Sequence, residues 1–350
     1  MIVLQQSATT LYRESMIRKP AHQTNLPREN ALLHRIRRVL SPRGVLGQRL
    51  RIGIGDDAAV WRSRRGVETI ATCDWFLQGT HFLLERHPPA SVGWKCLARA
   101  VSDLAAMGAE PRCFLLSLAL PSSLTRTWLS GFLRGLRRAS LTFRCPVAGG
   151  DTTSHDRVLI SLTVIGECEV GRAILRSTAK PGDAIFVTGR LGEAESGLRL
   201  LKKGASVKSD NDALRKHLYP EPRLAVGAWL ARERLATAMM DLSDGLSSDL
   251  ARLCDSSRVG ARIYQTEIPC AKPTAPSPKT DALALALHGG DDYELLFTVS
   301  QRKAGRVPDR IGLVPVARIG EVTKNRVIQL VRRDGTTGLF IAGGWDPFRT

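Results

Sequence analysis

The stretch Gly53-Ile54-Gly55-Asp56-Asp57-Ala58-Ala59-Val60 sets two adjacent carboxylates between a pair of glycines and a short apolar run. Alternation around it predicts strand on either side, with the glycines marking a turn or a close approach of backbone. Strand side chains alternate faces, so Asp56 and Asp57 point in opposite directions and only one of them serves a given pocket. Taken alone, a Gly-Asp-Asp triplet is more often a plain turn, since both residue types favour turns. The theme recurs, however. Carboxylates near Gly, Ser or Thr stand at Asp74, Asp103, Asp151, Asp241, Asp244 and Asp291, in a chain with 51 Lys+Arg and only 33 Asp+Glu. Acids offered from loops in this way suit a cage for hard divalent cations, which take oxygen ligands.

A chain of 350 residues, 43% hydrophobic, has enough material for two domains, each with a full core. No apolar run reaches the roughly 18 residues of a membrane span. The best candidate, 104–120, is broken by Glu110, Pro111 and Arg112. The seven cysteines are scattered without a Cys-x-x-Cys, which argues against a zinc knuckle or a disulfide framework and for reduced thiols in the cytoplasm. The net charge of +18 raises nucleic-acid binding. Yet the bases are spread along the chain and aromatics are only 5%, too few for stacking platforms, so attraction of anionic substrates accounts for the charge better. Residues 1–27 read as a disordered basic tail, with no apolar core for a secretory signal.

Apolar residues at threes and fours predict a helix from Asn30 to Leu40, ended by Pro42 and Gly44. A strand over 67–71 delivers Thr72-Cys73-Asp74, and a helix capped by Ser91 runs towards Met107, with Asp103 off its apolar face. Helices are expected near 125–140, 212–218, 222–235 and 281–288, and another from Ser247. Strands are expected at 158–166, 184–188, 239–246, 293–299, 313–322 and 326–331, with the domain joint at 172–182. Strand and helix alternate, which is an α/β pattern.

Familiar nucleotide motifs are absent: there is no Gly-x4-Gly-Lys-Ser/Thr, no His-Arg-Asp and no usable Gly-x-Gly-x-x-Gly after a strand. A phosphate cradle would use backbone N–H groups, with Gly149-Gly150 or the Gly189–Gly192 turn as candidates. Seven longer motifs do occur in order. They are Gly53–Val60, Thr72-Cys-Asp-Trp-Phe-Leu-Gln-Gly-Thr-His-Phe82, Val101-Ser-Asp-Leu-Ala-Ala-Met-Gly-Ala-Glu-Pro111, Gly149-Gly-Asp-Thr-Thr153, Val187-Thr-Gly-Arg-Leu-Gly192, Asp241-Leu-Ser-Asp-Gly-Leu246 and Gly289-Gly-Asp-Asp-Tyr-Glu-Leu-Leu-Phe297. Together they resemble the thiamine-monophosphate kinase family of the aminoimidazole-ribotide-synthetase-like superfamily, over residues 28–348.

That resemblance implies an α/β fold with mixed sheets in two domains, 28–166 and 167–350, whose N-terminal strands complete a shared barrel in a homodimer. It implies direct in-line transfer of the γ-phosphoryl group of ATP to thiamine monophosphate, with several Mg²⁺ ions and no phospho-enzyme. Such a transfer leaves little covalent work to the protein, so positioning and charge neutralisation carry it. Carried onto this chain, the resemblance makes Asp57, Thr72, Cys73, Asp74, Asp103, Asp151, Asp241 and Asp244 metal ligands. It makes Gly150, Asp151, Arg176 and Ser243 contacts to ATP, and His81, Asp291 and Trp345 contacts to the thiamine substrate. Cys73 departs from the family's hydroxyl, and a soft thiol is a poor Mg²⁺ ligand, so that position would serve through its backbone. Asp291 stands where many relatives carry Glu, and Trp345 is placed to stack on the cationic thiazolium. Blander readings are a structural His81, Asp244 and Asp249 as helix caps, and Trp345 as a core aromatic. The rivals are a sister ATP-dependent synthetase of the selenophosphate or purine-pathway type and a basic nucleic-acid-binding protein. Steep salt dependence of nucleic-acid binding would mark the last.

Overall fold

The computed structural model describes residues 29–40, 50–52, 60–61, 64–207, 211–271 and 281–346. The expectations on the 1–27 tail and on Gly53–Ala59, Asp57 included, fall outside the described residues.

The first half opens with α1 (Glu29–Leu40) and the short antiparallel pair β1 (Leu50–Ile52) and β2 (Val60–Trp61). Next come β3 (Val67–Leu77), α2 (Pro89–Ala106), β4 (Glu110–Leu120), α3 (Arg126–Thr142), β5 (Val147–Ser154) and β6 (Leu159–Glu169). These four longer strands form an open sheet in the order β3-β6-β4-β5, antiparallel except for the parallel β4–β5 pair. β4 is an interior strand that the sequence reading did not assign. Phe114, Leu116, Leu118 and Leu120 form its buried face, but the more open face also carries apolar Leu115 and Ala119, so the sequence shows little alternation to reveal the strand. The charges that break the run are accommodated at its start: Arg112 Nε donates to Glu167 at 2.8 Å and Arg112 Nη2 to Glu110 at 2.7 Å. Pro111 sits beside a register shift, where a missing N–H costs least.

α2 organises the molecule. Pro89 occupies its first turn, where a missing N–H is tolerated, so Ser91 is inside the helix and donates to Pro88 O at 2.8 Å instead of capping it. Fourteen of its residues are buried, more than one apolar stripe needs, because α2 packs against α3, against β3, β4 and β6, and against β8 and the helices of the second half. Close approach to α3 depends on Gly135, where a Cβ would meet Ala90 O at 1.9 Å. Thr125 caps α3 by accepting Trp128 N–H at 3.1 Å.

The second half comprises β7 (Ala184–Thr188), α4 (Glu193–Lys202), α5 (Asp212–Leu218), α6 (Leu224–Arg232), β8 (Ala236–Leu242), α7 (Leu246–Ser257) and β9 (Gly260–Tyr264). It continues with α8 (Ala282–His288), β10 (Glu294–Val299), α9 (Gln301–Ala304), β11 (Arg310–Ile311), β12 (Val314–Thr323), β13 (Ile328–Val331) and β14 (Thr337–Leu339). Its sheet runs β14-β13-β9-β12-β7-β10-β8, with β11 on the side of β12. Apolar clusters lie on both faces, and Ala105 and Ala106 at the end of α2 belong to one of them.

α5 ties the two halves together. Lys216 pairs with buried Glu294 on β10, while the next residue, His217, faces Lys95 of α2 and His87. Beyond it, Pro220 O accepts from Trp94 Nε1 at 2.7 Å, and Arg138 of α3 lies 4.7 Å from the ring centroids of both Trp94 and Tyr219.

Candidate active site

β3 continues past Ala71, so Thr72, Cys73 and Asp74 lie within the strand and alternate faces. Thr72 and Asp74 are half-buried on the side of Phe76, whereas Cys73 is exposed on the side of Trp75 and its thiol lies 3.5 Å from Ser161 Oγ. Thr72 Oγ1 donates to Asp103, on the last turn of α2. Asp241 is the last but one residue of β8, and Ser243 and Asp244 follow the strand before Gly245, whose φ of +105° lets the chain turn into α7.

These carboxylates feel one another. Burial, then the charge of Asp74, raises Asp103 to about 6. Burial, then Asp103, pushes Asp241 well above the usual carboxylate range, and Asp74 is raised by burial against the pull of Arg99. Arg176 is exposed, and its charge acts on Asp103. Behind Asp244, Arg252 bonds both Asp244 and Asp249, and Asp249 Oδ2 accepts Asp244 N–H at 3.0 Å. Asp249 therefore fixes the loop from the first turn of α7, the bland role that its spacing suggested. Among the described residues no three Asp, Glu, His or Cys side chains stand close enough to enclose one ion. Asp151 is exposed on β5, and its Oδ1 accepts Thr152 N–H at 2.8 Å.

Both glycine turns offered as phosphate cradles are otherwise engaged. Gly150 is a strand residue of β5 with φ +151°, pressed so close to β4 that a Cβ would meet Leu116 O at 1.9 Å. Gly150→Ala is expected to lose about 3 kcal/mol of stability, a cost that a urea titration measures. At Gly192 and Ala194 the N–H groups that open α4 already donate to buried Asp292, at 2.6 and 3.1 Å. An internal carboxylate occupies the anion site of that helix terminus.

A cavity of about 360 Å³ adjoins the carboxylates, and Ser243, Asp244, His81, Asp291 and Trp345 all line it. Asp291 has φ +68° and Tyr293 φ +49°, both uncommon for side-chain-bearing residues, in a loop held by Asp291 N–H to Ser243 O at 2.8 Å and Tyr293 N–H to Leu242 O at 2.9 Å. Asp291 accepts from Lys95 Nζ and from Tyr293 Oη, each at 2.8 Å. Burial alone would raise its pKa, but Lys95, His217 and Arg99 together outweigh burial and hold it far below the ordinary value.

Lys95 itself is 1% exposed and was missed in the sequence, where it lay in an otherwise apolar stripe. It has donors only, so His217 Nδ1 accepts from it at 3.2 Å. His217 Nε2 lies 3.1 Å from His87 Nε2, and His87 Nδ1 sits against Leu83, 3.1 Å from its N–H nitrogen and 3.2 Å from its carbonyl oxygen. Burial and the charge of Lys95 lower both imidazoles, which keeps them neutral. Burial, then Arg99, lowers His81 to about 4. Its Nδ1 accepts Leu77 N–H at 3.0 Å, so neutral His81 retains Nε2–H as a donor. The segment 343–345 closes the wall: Gly343 N–H and Gly344 N–H donate to Ser247 and Ser248 at 3.1 Å, and Trp345 N–H to Asp244 O at 3.0 Å. Trp345 remains 49% exposed, a rim residue and not a core aromatic.

Residues 55–168 match the family described as AIR synthase related protein, N-terminal domain, and residues 180–332 match its C-terminal domain. A thiamine-monophosphate kinase of Bacillus subtilis is 35% identical over 321 residues, covering 89% of this chain and 97% of that protein. The crystal structure of a thiamine-monophosphate kinase from Stenotrophomonas maltophilia superposes with a TM-score of 0.77 at 34% identity, over 89% of this chain and 98% of that one. A structure of AaThiL complexed with AMPPCP and TMP gives 0.73 at 29% identity, over 91% and 97%. Both halves of the fold are matched in order and the relatives are covered almost end to end, so the chain belongs to the thiamine-monophosphate kinase family.

Proposed function

We propose that the protein transfers the γ-phosphoryl group of ATP to thiamine monophosphate, giving thiamine diphosphate and ADP. One observation carries the reading: the cavity lined by His81, Asp291 and Trp345 shares Ser243 and Asp244 with the carboxylate wall of Asp74, Asp103 and Asp241. A cationic ring and a polyphosphate thus each meet a suitable surface, side by side.

The reading assigns Trp345 to stack on a thiamine ring and Asp291 to face its positive charge. His81, neutral, adds a hydrogen bond without placing a second cation beside that ring. On the other wall, Ser243 and Arg176 contact ATP, with Gly150 and Asp151 at the edge of the nucleotide. The donor set fits Mg²⁺: Thr72, Asp74, Asp103, Asp241 and Asp244 offer hard oxygens, and buried acids raised by one another need a cation to ionise together. When bound, Mg²⁺ would neutralise charge on the phosphates. In the transfer itself a phosphate oxygen of the acceptor bonds to the γ-phosphorus as the bond to ADP breaks, and the protein's part is alignment.

Because the Cys73 thiol is on the opposite face of β3, Cys73→Ser is expected to leave turnover within about a factor of two, measured by ADP release. β3 lies at the edge of its sheet with Trp75 56% exposed, which favours pairing with a second copy in a homodimer; sedimentation tests this. The protein acts in the cytoplasm on this reading, and among the described residues no helix is long and apolar enough to cross a membrane.

The deciding assay follows ADP release from ATP and Mg²⁺ with thiamine monophosphate, thiamine, aminoimidazole precursors and selenide in parallel. Turnover with thiamine monophosphate alone, with thiamine diphosphate as product, is the expected result. Silence with that acceptor overturns the proposal, and turnover with another moves the chain to a sister synthetase.

A further inference from the structure

Two polyanions must meet where the cavity joins the carboxylates, and a half-buried cation stands at that boundary. Arg99 lines the cavity, and its Nε lies 3.5 Å from Asp74 Oδ1. The side chain is only 21% exposed, yet buried Nε has no hydrogen-bond partner among the described residues: the contact with Asp74 is an ion pair without hydrogen-bond alignment. Lys202, which also lines the cavity, is exposed. Two other neighbouring cations are committed. Lys95 is bound to Asp291 and His217, and Arg252 to Asp244 and Asp249.

Helical spacing gives this arrangement an order. Lys95, Arg99 and Asp103 are four residues apart on α2, so they form one row with a rise of about 6 Å per step. Lys95 holds Asp291 at the proposed ring end, Asp103 belongs to the carboxylate wall, and Arg99 lies between them. A guanidinium offers five donors in a planar fork matched to phosphate oxygens, and here it is held in place by the charge of Asp74 without its donors being saturated.

We infer that Arg99 selects the acceptor: its guanidinium binds the phosphate that the acceptor already carries, and so separates thiamine monophosphate from thiamine. This rests on the reaction proposed above. Arg99 moves no proton; it neutralises and orients the phosphate whose oxygen bonds to the γ-phosphorus while the electron pair of the broken bond leaves with ADP.

The test is calorimetric titration of the full chain with thiamine monophosphate and with thiamine, for the wild type, Arg99→Met and Arg99→Lys. Thiamine monophosphate affinity is expected to fall about 30-fold in Arg99→Met, while thiamine affinity and the KM for ATP stay within about twofold. Arg99→Lys should lie between, since a point charge replaces a fork. An unchanged ratio of the two affinities in Arg99→Met overturns the inference, as does a wild type that does not distinguish the ligands. If Arg99→Met fails to fold, the ratio in Arg99→Lys decides in the same way. A wild type that prefers thiamine monophosphate but turns over none of it defeats the proposed reaction and leaves the assignment of Arg99 to the binding ratio.

Discussion

Asp103→Asn is expected to lower kcat by about three orders of magnitude, or about 4 kcal/mol of transition-state stabilisation, while the fold survives. The substitution keeps the shape of the side chain and can still accept from Thr72, but it removes a charge at the meeting point of β3, α2 and β8. Its effect on stability should have the opposite sign. A carboxyl raised from 3.8 to about 6 binds its proton more tightly in the folded state, so without cations stability rises as pH falls from about 6 towards 3.8. Above that window the ionised group costs the fold up to about 2 kcal/mol, discounted for residual solvent contact, and Asn removes this cost. Thermal melts in chelator at pH 5 and pH 7.5 should therefore show the variant level with or above the wild type, with the gap wider at the higher pH. Near-normal turnover in this variant would falsify the placing of Asp103 in the metal site.

Glu294→Gln should produce the largest loss of stability, about 3–5 kcal/mol, or on the order of 10 °C in Tm. Glu294 is 1% exposed and receives Arg223 through Nε at 2.6 Å and Nη2 at 2.5 Å, Thr188 Oγ1 at 2.6 Å, and Lys216. Gln cannot neutralise the two cations, which stay buried. Burial would raise the Glu294 pKa, but Lys216 and Arg223 draw it from 4.5 down to about 2. Its contribution is thus complete above 4.5 and is lost as pH falls towards 2, so the gap between the two proteins should close over that range. A gap that persists at low pH would mean that packing, not charge, explains the loss.

The motif holding Glu294 also shows where sequence reading stops. In Asp291-Asp292-Tyr293-Glu294 all four side chains are polar and look alike in a one-dimensional string. Through the loop that leads into β10 they alternate in role: Asp291 and Tyr293 bond to each other at the cavity, while Asp292 caps α4 and Glu294 holds α5 and α6. That alternation was available as a signal, but only Asp291 was singled out. The order of the motifs, the alternation of strand and helix and the helices at 212–218 and 282–288 were legible because each rests on local spacing. β4 was not, because apolar Leu115 and Ala119 on its more open face mask the period of two, and β9 was not assigned either. Lys95 was hidden for another reason: its partners His217 and Asp291 lie 122 and 196 residues away, and no local pattern announces them.

The clamp made by α5 bears on how product leaves. Swinging the halves apart would strip His217 from Lys95 and His87, and Pro220 from Trp94, exposing groups that water has not reached. The segment 343–345, by contrast, is held over the cavity by three backbone N–H donors and carries a rim tryptophan. Peeling it back breaks only hydrogen bonds that solvent can replace. The residence time of product is then set at the far C-terminal end of the chain, some 240 residues from the helix that carries Asp103, and a change at Gly343 or Gly344 would tune turnover without touching a reacting group.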